Sequence, residues 1–135
     1  MCNLTNNCNQ ACKHCVSNAK CGSGEELQYR IIECLIHDLE QMGKDYLLTL
    51  VGGEATIWTD FRKLLKQKEF KKVRHKMLYT NATYLDAECI SLIREADFYE
   101  VRVSIDSDRP QEHDDLRGEG TFREAIKNTR HLVES

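Results

Sequence analysis

A regular change of hydrophobic period constrains this 135-residue chain more than any other feature. From Glu25 to Met42, apolar residues recur at Leu27, Ile31, Leu35, Leu39 and Met42, which is one face of an amphipathic helix. Gly43 follows as a stop signal. Tyr46 to Val51 is a short, nearly continuous apolar run and reads as a strand covered on both faces. The alternation then repeats. A helix is predicted from about Thr59 to Lys68, with Phe61, Leu64 and Leu65 inward, followed by a strand over Lys76 to Thr80. Leu85 to Ala96 returns to helical spacing through Cys89, Leu92, Ile93 and Ala96. Tyr99 to Ile105 alternates as a third strand. Residues 106–120, which contain the only proline (Pro110), read as a polar loop. Thr121 to Val133 reads as a last helix with Phe122, Ala125, Ile126, Thr129, Leu132 and Val133 inward. Strands alternating with helices predict an α/β fold of parallel (β/α) repeats. One domain is expected over residues 1–135, a loop over 1–24 and the repeats over 25–135. Ligands in such folds gather at the carboxyl ends of strands. Gly52-Gly53-Glu54, Thr80-Asn81 and Ser104-Ile105-Asp106 each close a strand there.

Composition removes several function classes. A hydrophobic fraction of 41% with 30% charged residues is ordinary for a globular protein and argues against disorder. A formal charge of −3 gives no electrostatic reason for nucleic acid or an anionic membrane as partner. No apolar run approaches the roughly 18 residues of a membrane span, and the first residues do not read as a signal peptide. Seven cysteines are present, an odd number, at 2, 8, 12, 15, 21, 34 and 89. A reducing, cytoplasmic compartment is therefore expected, where clustered cysteines bind metal more often than they pair.

The core of the cluster is Cys8-x-x-x-Cys12-x-x-Cys15. Tetrahedral zinc needs a fourth ligand, which Cys21 or His14 would have to supply. A c-type haem needs histidine after the last cysteine, and Val16 stands there. A redox dithiol of Cys12 and Cys15 leaves Cys8 unexplained. Bacterial ferredoxins use another spacing and a fourth cysteine. Three thiolates on a [4Fe–4S] cluster leave one iron free to hold a chelating small molecule. The surrounding Asn, Gln, Lys and His residues offer these cysteines no apolar core. Cys34 and Cys89 fall in helical patterns and are expected to fill core space, while Cys21 is either free or an additional ligand.

Cys8-Asn9-Gln10-Ala11-Cys12-Lys13-His14-Cys15 resembles the CxxxCxxC signature of radical S-adenosylmethionine (SAM) enzymes, with Thr5-Asn6-Asn7 similar to its lead-in. Gly52-Gly53-Glu54 resembles the family's GGE motif, and Thr80-Asn81 its TN element. Ser104-Ile105-Asp106, His113-Asp114 and Leu116-Arg117-Gly118 resemble the strand-end and loop pattern of the subgroup that holds SPASM-type maturases and molybdopterin-precursor cyclases. The resemblance implies a partial TIM barrel and an oxidoreductase-type activity. In that activity a cluster held by Cys8, Cys12 and Cys15 reductively cleaves SAM, and a 5′-deoxyadenosyl radical abstracts hydrogen from a peptide or small-metabolite substrate. It also implies an external electron donor such as a flavodoxin or ferredoxin. A non-catalytic iron–sulfur or zinc module of the same fold is the alternative.

The resemblance also implies SAM contacts. His14 would meet the adenine, or else is a solvated loop side chain. Gly52 and Gly53 suit a close ligand approach or a positive φ, and their backbone with Glu54 would receive the ammonium. Ser104 and Asp106, at i and i+2, would reach the ribose or the methionyl end. Arg117 would pair with the carboxylate, or else with nearby acids on the surface. Asn81 would bond the ligand or its own turn. Ala55, Ala82 and Ser107 stand where the family commonly has proline, glycine and glycine. The family's partial barrel has about six βα units, short of the eight of a closed barrel, and this chain supplies about four, its first strand being Cys2 to Thr5 at most. A fragment, a half-barrel completed by another chain and an unusually small member all fit that count.

Overall fold

The computed structural model describes residues 1–19, 22 and 24–134. It is a parallel α/β sheet of four strands in the order β1-β2-β3-β4, namely β1 (Cys2–Asn3), β2 (Leu48–Val51), β3 (Lys76–Thr80) and β4 (Glu100–Val103). Helix α1 (Tyr29–Met42) joins β1 to β2, and α2 (Phe61–Lys66) and α3 (Lys68–Lys72) join β2 to β3. Helix α4 (Ala87–Glu95) joins β3 to β4, and α5 (Pro110–Arg117) and α6 (Thr121–Val133) follow. The core lies between the helices and one sheet face, where Leu48, Leu50 and Leu78 meet Ile32, Ile36, Phe61, Leu64, Leu65 and Phe70. Leu48, Thr49 and Leu50 of β2 are buried in succession, as in parallel strands with helical crossovers, which is why β2 reads as a nearly unbroken apolar run. Among the described residues no helix is long and apolar enough to cross a membrane.

Several expectations need correction. Residues 110–117 are helix α5, not loop. Pro110 opens it at the first turn, where its missing N–H costs nothing, but PQEHDDLR carries too few apolar residues to show a helical stripe. Helix α1 starts at Tyr29, because the residues before it pair with the β1 extension instead: Leu27 N–H donates to Leu4 O at 2.8 Å and Asn6 N–H to Glu25 O at 3.0 Å. Its inward face is Ile32 and Ile36, while Ile31 and Met42 are exposed. Adjacent apolar pairs, Ile31-Ile32 and Leu35-Ile36, leave the face ambiguous by one residue until the helix docks. That rotation also exposes Cys34, so it fills no core space, whereas Cys89 is buried and its thiol is pushed up to about 11 by desolvation. Helix α2 ends at Lys66, before the extended Gln67 (φ −71, ψ 131), and the unanticipated α3 turns the fully buried Phe70 into the core. Val133 is exposed at the end of α6.

Asp114 of α5 organises the start of α6. Its Oδ1 accepts from Phe122 N–H at 2.8 Å, and its Oδ2 accepts from Gly120 N–H at 2.8 Å. These bonds, the Phe122 N–H first, hold its carboxyl below the usual carboxylate range. Such a group stabilises the fold above the unfolded carboxyl pKa of about 3.9, and the contribution fades as pH falls through the lower native value. Asp114→Asn should therefore melt at lower temperature than the parent at neutral pH. The two melting curves should converge in acid, as followed by circular dichroism; a gap that persists at low pH contradicts this account.

Candidate active site

One cavity of about 560 Å³ opens at the carboxyl ends of the strands. The loop after β1 contributes Cys8, Gln10, Cys12, His14 and Cys15. The segment closing β2 contributes Gly52, Gly53 and Glu54, β3 and its end Tyr79, Thr80 and Asn81, the end of β4 Ser104, and α5 Arg117. Candidate residues spread over more than a hundred positions thus meet around one space, because parallel strands deliver all their carboxyl ends to the same edge. Asp106 is the exception and lies outside the lining. Strand β4 stops at Val103, so the i, i+2 alternation with Ser104 does not extend to Asp106. Cys21 lies outside the described residues.

The cysteine loop is fastened at three places. At its base, Gly24 N–H donates to Asn7 Oδ1 at 2.8 Å. On one flank, Lys13 N–H donates to Leu116 O at 2.9 Å and so satisfies a carbonyl in the last turn of α5. Arg117 makes a bidentate pair with Asp106, Nε to Oδ2 at 2.6 Å and Nη2 to Oδ1 at 3.0 Å. His14 Nε2 lies 3.3 Å from the same Oδ2. Arg117 holds the Asp106 carboxyl well below its ordinary value. Asp106 N–H in turn donates to Nδ1 of the buried His113 at 3.3 Å. On the other flank, Asn81 Nδ2 donates to Asn9 Oδ1 at 2.8 Å.

The two glycines of the β2 end answer a steric demand within the chain. Neither has a positive φ, contrary to one of the two reasons offered for them. Gly53 N–H donates to Thr5 O at 2.7 Å and Glu54 N–H to Asn7 O at 2.8 Å. A Cβ on Gly53 would collide with Asn7 O and stand 2.7 Å from Asn7 C, and one on Gly52 would stand 2.8 Å from Thr5 O. The close approach is thus between the end of β2 and the lead-in to Cys8.

Glu54 is fully used by the protein. Its Oε1 accepts from Thr56 N–H at 3.2 Å, Thr56 Oγ1 at 2.6 Å and Thr80 Oγ1 at 2.7 Å, and its Oε2 accepts from Asn81 N–H at 2.7 Å. Burial pushes its carboxyl upward, and these four donated bonds oppose the shift. The carboxylate ties the end of β2 to the end of β3. Because every neighbour donates, Glu54→Gln would place a buried amide N–H₂ against a donor. We expect a loss of about 2 kcal/mol and a melting temperature lower by about 6 °C. A parental melting curve would show that the four bonds contribute nothing net.

Asn81 chiefly shapes its own turn: Oδ1 accepts from Thr83 N–H at 3.0 Å and Thr83 Oγ1 at 2.8 Å. Ala82 behind it is buried with φ 57, the conformation that glycine adopts without strain. Asn128 of α6 donates to Ala82 O at 2.7 Å. Gln10 and Thr83 were not anticipated as parts of this site. The bonds that join Thr83 to Asn9 and Gln10 span more than seventy residues, and no local pattern marks them.

The donor set fits an iron–sulfur group. Three soft sulfur donors share the lining of one cavity with the Arg117 cation. Among the described residues no three His, Cys, Asp or Glu side chains converge closely enough for a single ion. None of the described cysteines is in a disulfide. Burial raises the Cys8 and Cys12 thiols, Arg117 opposing the shift at Cys12. A cationic group in the cavity would offset that burial by binding the thiolates.

The family model of the radical SAM superfamily matches residues 2–135. The chain belongs to the radical SAM superfamily. Superfamily members in general use SAM and a [4Fe–4S] cluster. The chain is 30% identical over 129 residues to mycofactocin maturase MftC of Mycolicibacterium smegmatis, covering 96% of this chain and 32% of that protein. It is 33% identical over 134 residues to Fe-coproporphyrin III synthase of Methanosarcina barkeri, covering 98% of this chain and 33% of that one. An AdoMet-dependent heme synthase of Oleidesulfovibrio alaskensis is 27% identical over 134 residues, 98% of this chain and 34% of its own length. The chain spans about a third of the length of these curated relatives. The four-stranded parallel sheet agrees with a partial radical SAM barrel.

Proposed function

We propose that this chain is the cluster- and SAM-binding part of a radical SAM enzyme, in which Cys8, Cys12 and Cys15 hold a [4Fe–4S] cluster and the same cavity receives SAM. The observation that carries this reading is the meeting of the three thiols with the ends of β2, β3 and β4 around one cavity. When bound, the cluster and SAM supply reductive cleavage to a 5′-deoxyadenosyl radical that abstracts hydrogen from substrate. The chain's own residues bind and orient. Arg117 has five N–H donors, of which Asp106 takes two, and the others would be available to a ligand carboxylate. An ammonium only donates, so of the backbone groups here the Gly52 and Gly53 carbonyls would be its acceptors. His14 would stack on the adenine, and Ser104 would meet the ribose or the methionyl end, both lining the cavity. Asp106 acts by aligning Arg117 and His14, while Asn81 and Glu54 shape the wall.

The domain reading is one unit, a cluster loop over residues 1–24 and repeats over 25–135. The HDxLRG-like segment and the relatives named as a maturase and as synthases support placement with the SPASM-type subgroup and a peptide or small-metabolite substrate. An external one-electron donor, such as a flavodoxin or ferredoxin in a reducing cytoplasm, completes the scheme. Further chain or a second copy would supply a remaining barrel wall, and an unusually small member would have none.

Anaerobic reconstitution with iron and sulfide tests the proposal. The expected product is brown, is bleached by dithionite and releases 5′-deoxyadenosine from SAM. Colour without cleavage points to a binding module, and a colourless protein holding one zinc ion overturns the reading.

A further inference from the structure

We infer that Thr83, which touches none of the three thiols, is a positioning residue that aims hydrogen-bond donors at the Cys8 sulfur. The inference rests on the reading that these cysteines hold an iron–sulfur cluster.

The argument begins with donor and acceptor accounting. Thr83 N–H and Oγ1–H both donate to Asn81 Oδ1, at 3.0 and 2.8 Å. An amide oxygen held by two donors cannot exchange places with its nitrogen without setting N–H₂ against N–H. The orientation of the Asn81 amide is therefore fixed from the Thr83 side. Its Nδ2 faces the cysteine loop, donating to Asn9 Oδ1 at 2.8 Å and lying 3.9 Å from Cys8 Sγ. Because the Thr83 hydroxyl hydrogen goes to Asn81, its oxygen accepts. It takes Asn9 Nδ2 at 2.8 Å and Gln10 Nε2 at 3.3 Å. Gln10, whose backbone N–H lies 3.4 Å from Cys8 Sγ, is thereby tethered through its side chain. Asn9, Thr83 and Asn81 close a ring in which each donor has an acceptor; the Asn81 donor to Cys8 belongs to it, and the Gln10 side chain is tied to it. Gln10 and Asn81 are buried, so water is a poor substitute for the missing partner.

A donor aimed at a ligating sulfur stabilises the more negative, reduced form of an iron–sulfur group and raises its potential. Removing the Thr83 hydroxyl leaves Asn81 Oδ1 on the Thr83 N–H alone and takes the acceptor from Asn9 Nδ2 and Gln10 Nε2, so the ring opens and the Asn81 donor is aimed at Cys8 less firmly. The reduced form then loses stabilisation.

The test is a redox titration of the reconstituted chain, followed by electron paramagnetic resonance, for the parent, Thr83→Val and Thr83→Ser. Thr83→Val keeps the shape and removes the hydroxyl, whereas Thr83→Ser keeps the hydroxyl. At the parent's midpoint potential we expect the reduced-to-oxidised ratio in Thr83→Val to fall about tenfold, which is 59 mV for a one-electron couple. Thr83→Ser should titrate like the parent. A loaded Thr83→Val with the parental midpoint overturns the inference and leaves the proposed function standing. A parent that takes up no iron and sulfide removes the proposed function itself. If Thr83→Val does not load, Thr83→Ala replaces it: a lowered midpoint supports the inference and a parental midpoint overturns it.

Discussion

Cys12→Ala should keep the fold and lose both the iron and the release of 5′-deoxyadenosine. Cys12 is half buried on a loop, and its thiol donates only to Gln10 Oε1, at 3.4 Å. Removing that weak bond should cost no more than about 1 kcal/mol, so the melting temperature should move by only a few degrees. The functional loss should be complete, because three sulfur donors are the minimum that leaves one iron open for SAM, and two thiols do not replace three. Cys34→Ala is the matched control. Cys34 is exposed and outside the cavity lining, so iron content and cleavage should stay parental. Iron assay and chromatography of the nucleoside products decide the matter. Cleavage that persists in Cys12→Ala would remove Cys12 from the ligand set.

Gly53→Ala should be strongly damaging. The added methyl would collide with Asn7 O and sit 2.8 Å from Ala19 Cβ. Backbone is a poor absorber of such a clash. Either the end of β2 or the lead-in to Cys8 must retreat, and with it go the Gly53 to Thr5 and Glu54 to Asn7 hydrogen bonds. We expect a loss of about 3 kcal/mol and a melting temperature about 10 °C lower. Because Asn7 precedes Cys8, iron uptake should fall as well, even well below the melting temperature. Gly43→Ala separates this from a general cost of replacing glycine. Gly43 caps α1 at φ 58 with open space around its Cβ position, so only backbone strain of about 1 kcal/mol is at stake. Equal losses in the two variants would mean that the close approach at Gly53 relaxes freely.

Much of the fold is legible in local pattern. Strand β3 and helix α6 occupy the predicted residues, because each is written in a short stretch whose period meets a buried partner. Helix α5 was not legible. It is held by contacts of the buried His113 with Asp106 and Phe122, by the bonds of Asp114 to Gly120 and Phe122 and by the Lys13 cap, and all of these partners lie outside its own sequence. Cys34 shows the same limit on a smaller scale, since its exposure follows from which of two adjacent apolar ridges of α1 docks.

The site divides along the same line. Chemistry that depends on residue type and close spacing is written in the chain: three thiols within eight positions, glycines and an acid at one strand end, an asparagine at the next. Chemistry that depends on contacts between distant segments is not. Glu54 reads as a ligand for an ammonium, yet folding gives its oxygens to Thr56, Thr80 and Asn81. The glycines read as room for a small molecule, and packing shows them first as room for Thr5 and Asn7. Gln10 and Thr83 carry no signal until β3 is laid beside β2 and the loop folds over both. Hydrogen-bond partners are set by distance in space, which a linear pattern records only when the two residues are also near neighbours along the chain.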